Sequence, residues 1–159
     1  MTIDCVYFND YIRCYRNGVV ERINRKQIKK GWYEVKNTAN VGSKGYNCVK
    51  INDVDVKRHR LIAYCFLGLK NLVGDYRGVD VIDHINRNRL DNRVENLRIT
   101  TNQGNQHNRT AKGYTWCKSN KKWNAQIRLN GKSHHLGYYD TEEEARQAYL
   151  RAKPIYHII

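Results

Sequence analysis

VDVIDHINRNRLDNRVENLRITTNQGNQHNRT, residues 79–110, is the stretch on which the fold of the chain turns. A β-branched run at 79–82 ends in Asp83-His84, and a polar loop rich in Asn and Arg follows. Asn96-Leu97-Arg98-Ile99 is a second short apolar stretch, and from Thr100 the pattern turns helical and polar, through Asn105, His107 and Asn108. The predicted order is strand, long loop, strand, helix, with the hydroxyl of Thr100 or Thr101 accepting an orphan backbone N–H at the helix start. Adjacent strand residues point to opposite faces, so one of Asp83 and His84 can face the helix and the other a cleft. The carboxylate, the Asn105 amide oxygen and the imidazole could then converge on one divalent ion and one water. Oxygen donors suit a hard cation such as Mg²⁺. Imidazole titrates near neutrality and can take a proton from an attacking water. An Asp-His pair or an Asn-rich loop taken singly is ordinary turn chemistry; the ordered string is what points to a site.

Three blocks carry a resemblance: HRLIAYCFLG (59–68), VIDHINRNRLDN (81–92) and ENLRITTNQGNQHN (95–108). The stretch from Val56 to about Arg109 resembles the HNH endonucleases, in the branch found in phage and intron-encoded homing enzymes. The resemblance implies a ββα-metal module in which Asp83 is a metal ligand, His84 the general base and Asn105 the second protein ligand, 21 residues after His84 as in that branch. Asn96 matches the middle Asn, which in this family staples the loop between the strands. The last position of the motif is His in many members and Asn in this branch; His107 lies two residues further on. Implied with these are one divalent ion, Mg²⁺ or Mn²⁺, double-stranded DNA as the partner, and phosphodiester hydrolysis leaving 5′-phosphate and 3′-hydroxyl ends.

The 159 residues carry 29 Lys+Arg against 15 Asp+Glu, a net charge of +14. The basic residues are spread along the chain, the footprint of a polyanion-binding surface. Twelve Tyr and three Trp among these cations favour nucleic acid, since aromatic faces stack on bases and sugars. No long amphipathic basic helix and no apolar stretch near the roughly 20 residues of a membrane span are present, so no membrane partner is expected. Met1-Thr2-Ile3-Asp4 lacks the charged start and apolar run of a signal peptide. Cys5, Cys14, Cys48, Cys65 and Cys117 form no C-x-x-C pair, which argues against a zinc ribbon and for reduced thiols in a cytoplasmic protein. No obligate protein partner is evident.

Residues 1–56 are expected to form a small, twisted antiparallel sheet. Asn17-Gly18, between YIRCYR and VVERIN, is a type I′ hairpin signal, with Arg13, Arg16, Arg22, Arg25 and Lys26 on or after it. Strands are expected at 32–35 and 46–51, and Asn52-Asp53 turns the chain into Val54-Asp55-Val56. Residues 57–67 are helical by spacing, with Leu61, Ile62, Cys65 and Phe66 as the apolar stripe. In the resembling family this helix packs on the ββα module, so His59 is read as structural or DNA-facing rather than catalytic. A loop at 68–78 is expected to expose Tyr76 and Arg77.

A second unit occupies 112–159, with strands expected at 113–118, 121–129 and 132–139 and a favoured hairpin turn at Asn130-Gly131. Asp140-Thr141 followed by three Glu opens a helix with apolar positions Ala145, Ala148, Tyr149 and Ala152, and Pro154 is expected to end it. WNAQIR (123–128), HLGYYDT (135–141) and EEARQAY (143–149) make residues 113–153 resemble an AP2 DNA-binding domain. The resemblance implies a three-stranded sheet lying in the major groove with the helix behind it. DNA contacts are expected from Trp116, Lys118, Trp123, Gln126 and Arg128, then Lys132 and His134. Arg can read guanine bidentately and Gln can read adenine, while lysines suit phosphate.

The whole is expected to be an α+β chain. An endonuclease domain at 1–111 combines the β-rich part (1–56) and the HNH module (about 57–111), and a three-stranded antiparallel sheet packed on one helix follows. The expected activity is metal-dependent DNA cleavage addressed by the C-terminal sheet. The alternative is a non-enzymatic DNA-binding regulator carrying a relic of the motif; a non-specific toxin-type nuclease would need no second unit.

Overall fold

A computed structural model describes residues 3–24, 26–73 and 80–157. Met1, Thr2, Arg25, Val79, and Tyr76 and Arg77 of the expected loop lie outside the described residues. The chain is a mixed α+β protein of several small antiparallel sheets, divided into two compact units, Met1–Asn105 and Gln106–Ile159. No helix of the described residues is long and apolar enough to cross a membrane.

In the first unit, β1 (Cys5–Asn9), β2 (Ile12–Tyr15), β3 (Val20–Ile23) and β4 (Trp32–Glu34) form a four-stranded antiparallel sheet in chain order. The single sheet expected for residues 1–56 is two: β5 (Cys48–Ile51) and β6 (Val54–Lys57) form a separate ribbon. The reason lies in the carbonyls that follow β4, which a further strand would need. The Val35 and Lys36 oxygens accept from the Arg58 guanidinium, and those of Lys36 and Thr38 accept from Asn47 Nδ2. Side chains have taken the place of a strand partner.

Asn17-Gly18 does connect β2 to β3, but not as a type I′ turn, which needs positive φ at both central residues. Only Gly18 is left-handed, at φ +85. The Asn17 Oδ1 instead accepts the Val19 N–H at 3.0 Å, an Asx-type closure. Both central residues are left-handed at Asn52-Asp53, φ 46 and 63, between β5 and β6.

Helix α1 (Arg58–Phe66) buries Leu61, Ile62 and Ala63 completely. They share one core with Ile12, Cys14 and Val20 of the four-stranded sheet, Val49 and Val56 of the ribbon, and Ile82, Val94 and Leu97 around the motif. At its start sits Arg58, also fully buried. Its Nε donates to Asn47 Oδ1 at 2.7 Å, its Nη1 to the Gly18 carbonyl at 3.1 Å, and its Nη2 to the carbonyls of Val35 and Lys36. The motif itself is a two-stranded ribbon, β7 (Val81–His84) antiparallel to β8 (Leu97–Thr100), followed by α2 (Asn102–His107). Thr101 caps α2, its Oγ1 accepting the Gly104 N–H at 3.1 Å.

In the second unit, β9 (Tyr114–Cys117), β10 (Lys122–Leu129) and β11 (Lys132–Tyr139) form an antiparallel sheet with β10 in the middle. Asn130 and Gly131 have φ of 51 and 77, as the expected hairpin turn requires. α3 (Glu142–Tyr156) opens with a full capping box between Thr141 and Glu144 and buries Ala145, Ala148, Tyr149 and Ala152 against Tyr114, Ala125 and Ile127. Pro154 does not end α3, which runs on to Tyr156. The missing proline N–H costs one bond in the last turn. Tyr156 offsets it by packing on the cluster of Ile127, Tyr149 and Ala152, and His157 donates its N–H to the Lys153 carbonyl at 2.8 Å.

Candidate active site and nucleic-acid interface

Register places Asp83 opposite Arg98 and His84 opposite Leu97 on the β7–β8 ribbon. Both motif side chains are buried, Asp83 to 4% exposure and His84 to 5%. Arg98 forks onto one carboxylate oxygen, its Nη2 and Nε reaching Asp83 Oδ2 at 2.6 and 2.9 Å. This cross-strand pair neutralises the buried carboxylate, and reading it from sequence would have required the strand register.

The His84 ring sits among aromatic and cationic neighbours. Its Nε2 lies 3.2 Å from Asn92 Oδ1. The His59 ring meets it edge-on at 5.1 Å, and Tyr46 lies 6.0 Å from His84 and 4.8 Å from His59. Over the Tyr46 ring stand Lys57 Nζ at 5.0 Å and the Arg89 guanidinium at 5.1 Å. Burial pulls His84 below its ordinary value; the hydrogen bond to Asn92 and the Asp83 charge oppose this. Burial, then the neighbouring His84, Lys57 and Arg60, hold His59 well below the ordinary value. The two rings are thus neutral at neutral pH, the form in which an imidazole can accept a proton. His59 belongs to this cluster, and its Nδ1 is buried with no hydrogen-bond partner. No sequence signal joins it to His84, because the two come from different elements brought together by the common core.

Asn96 ties the loop. Its Nδ2 donates to Asn86 Oδ1 at 3.0 Å and to the Asp91 carbonyl at 2.7 Å, and its Oδ1 accepts the Asn86 N–H at 2.9 Å. Asn105 lies one turn into α2, its N–H bonded to the Thr101 carbonyl at 3.0 Å. His107 belongs to the second unit, where its ring stacks on His157 at 3.9 Å and 4°. Among the described residues no three His, Cys, Asp or Glu side chains gather as a metal cluster. The donor types at the motif, one carboxylate and one amide oxygen, suit a hard divalent cation that keeps waters and a phosphate oxygen in its shell.

Residues 56–107 match the family model described as HNH endonuclease. The matched stretch is less than half of the chain and contains Asp83, His84, Asn96 and Asn105, which supports an HNH module here and, with it, a nuclease that acts on DNA with a divalent metal. No curated protein and no solved structure matches the chain.

The nucleic-acid candidates of the second unit do not share one face. Trp123 alternates with Ala125 and Ile127 on the side covered by α3 and packs in that core. Trp116 pairs with it across the strands at 5.2 Å and is half exposed. Lys132 and His134 pair with Leu129 and Ile127, and so lie on the helix side as well. Lys118 is exposed just beyond β9. Gln126 and Arg128 stand on the open face with Asn124, Ser133, His135 and Tyr138. On that face His135 Nδ1 lies 2.8 Å from Asn124 Oδ1, and Ser133 Oγ donates to Gln126 Oε1 at 3.1 Å. The two-residue turn at Asn130-Gly131 sets Leu129 opposite Lys132 and so His135 opposite Gln126; the register shifts only beyond that pair, where Ala125 faces Gly137. None of β9, β10 and β11 contains an acidic residue.

Proposed function

We propose that the chain is a metal-dependent DNA endonuclease of the phage or intron-encoded homing type, acting on double-stranded DNA in the cytoplasm of a host cell. Residues 1–111 cut, and residues 112–159 hold the DNA as an AP2-like sheet, chiefly through the open face with Gln126 and Arg128. The observation that carries this reading is the neutral, buried His84 beside the Asp83 carboxylate, within the stretch matched to HNH endonucleases.

His84 takes a proton from a water as that water attacks the phosphorus in line with the departing 3′ oxygen, leaving 5′-phosphate and 3′-hydroxyl ends. Asp83 and Asn105 hold one divalent ion, Mg²⁺ with Mn²⁺ as a substitute. The ion would supply charge neutralisation at the phosphate and the leaving oxygen. Asn96 keeps the loop closed behind His84. The Asp83–Arg98 pair favours a second reading, a DNA-binding regulator without cleavage, since Arg98 already engages the carboxylate.

Supercoiled plasmid incubated with Mg²⁺, Mn²⁺ or EDTA separates the two. The endonuclease nicks or linearises it only with metal, and His84→Ala loses about 10²–10⁴ in rate while still binding DNA. Cleavage in excess EDTA, or by His84→Ala at the wild-type rate, would refute the mechanism; binding without cleavage under every metal would establish the regulator.

A further inference from the structure

We propose that Asn92 is the positioning residue of the cleavage site: it fixes His84 as the Nε2–H tautomer, so that the ring's lone pair is on Nδ1. The catalytic consequence rests on the reading of His84 as general base; the tautomer itself does not.

The orientation of the Asn92 amide is set independently of His84. Its Nδ2 donates to the Leu90 carbonyl at 3.1 Å and to Asn37 Oδ1 at 3.3 Å. A backbone carbonyl can only accept, so the reversed amide would set two oxygens against each other. Asn37 is locked in turn, its own Nδ2 donating to the same Leu90 carbonyl at 2.7 Å. Asn92 therefore presents Oδ1, an acceptor, to His84 Nε2 at 3.2 Å. In a neutral ring, Nε2 must then carry the hydrogen and Nδ1 the lone pair.

The amide is 97% buried by its 3% exposure, and its backbone is held from outside the loop. The Gly18 α-carbon is so close that an added Cβ would lie 2.7 Å from the Asn92 carbonyl carbon. Asn37 follows β4 and Gly18 precedes β3, so the four-stranded sheet braces the group that orients His84. One nitrogen of the base is thus fixed as a donor to the protein, and the basic lone pair is confined to the other.

The test is ¹⁵N imidazole NMR of the full chain at mildly alkaline pH, with His84 assigned by its loss in His84→Ala, alongside plasmid cleavage. The wild type should show His84 as Nε2–H. Asn92→Leu should mix the tautomers and lower kcat by about ten- to a hundredfold, the usual cost of removing the partner that orients a functional imidazole, with little change in KM. A wild-type His84 found as Nδ1–H overturns the proposal. So does an Asn92→Leu chain with unchanged tautomer and kcat. Should Asn92→Leu not fold, the wild-type spectrum decides. Wild-type cleavage by His84→Ala would overturn the general-base reading alone, and the spectrum would still decide the tautomer.

Discussion

Burial keeps both imidazoles of the site neutral, and this sets the sign of the protein's response to acid. His59 and His84 are held below the ordinary histidine value of 6.5, so the unfolded chain binds more protons than the folded one once pH falls through about 6.5. Stability is fully present above that pH and is lost on acidification toward the folded values, by at most about 1.4 kcal/mol per pH unit for each group. Urea denaturation of metal-free protein across pH 5–8 should show the loss, and His59→Phe should lessen its slope; an identical slope would count against the buried neutral ring. A second prediction concerns Arg98. Arg98→Leu should destabilise the chain in EDTA by about 2–4 kcal/mol, because Asp83 is left buried without its cation. Mg²⁺ should recover part of this by binding the folded state. Equal melting of variant and wild type in EDTA would show that the pair contributes little. At this scale the sequence singled out Asp83, His84, Asn96 and Asn105, because their order and spacing are local. Arg98, Asn92 and His59 were hidden, since a cross-strand partner, an amide orientation and a ring contact exist only once strands are paired and a core is formed.

Elements were legible where local chemistry alone decides them. Asn130-Gly131 and the Thr141–Glu144 capping box are such cases, as is the helical stripe of Leu61 and Ile62. They were misread where a distant group intervenes. Side chains capped the carbonyls after β4 and divided one expected sheet into two, and Tyr156 packing carried α3 past Pro154. His134 is a separate case: the Asn130-Gly131 turn itself pairs it with Ile127 on the helix side and leaves His135 beside Gln126. At the β2–β3 connection, Gly18 is needed twice, for its φ of +85 and for its approach to the Asn92 backbone. Gly18→Ala should therefore cost more than about 1 kcal/mol, the usual scale of a strained alanine, and reduce cleavage through Asn92. Denaturant midpoints and nicking rates measure both; a variant as stable and active as wild type would mean that the connection yields without disturbing the loop.

For the whole molecule, the charge of +14 and the acid-free sheet of the second unit predict a salt-sensitive grip on DNA. Removing residues 112–159 should leave a chain that nicks at low salt but binds more weakly, with a shallower dependence of log K on log salt. Cleavage of a mapped target against a scrambled one, by full-length and truncated chains over a salt series, tests this. Equal site preference would place the address in the first unit. Each part has its own turn and capping signals in the sequence, whereas the dependence of the HNH stretch on the residues before it leaves none. The family match begins at residue 56, yet Arg58 hands its donors to the Gly18, Val35 and Lys36 carbonyls and to Asn47. Cut away from them, that guanidinium would have to remain charged in an apolar interior or leave it. The HNH stretch is therefore not a cartridge that recombination could lift out at its sequence borders. A working transplant has to carry the chain from the first strand onward, and lesions in the N-terminal sheet should surface in a genetic screen as failures to cut.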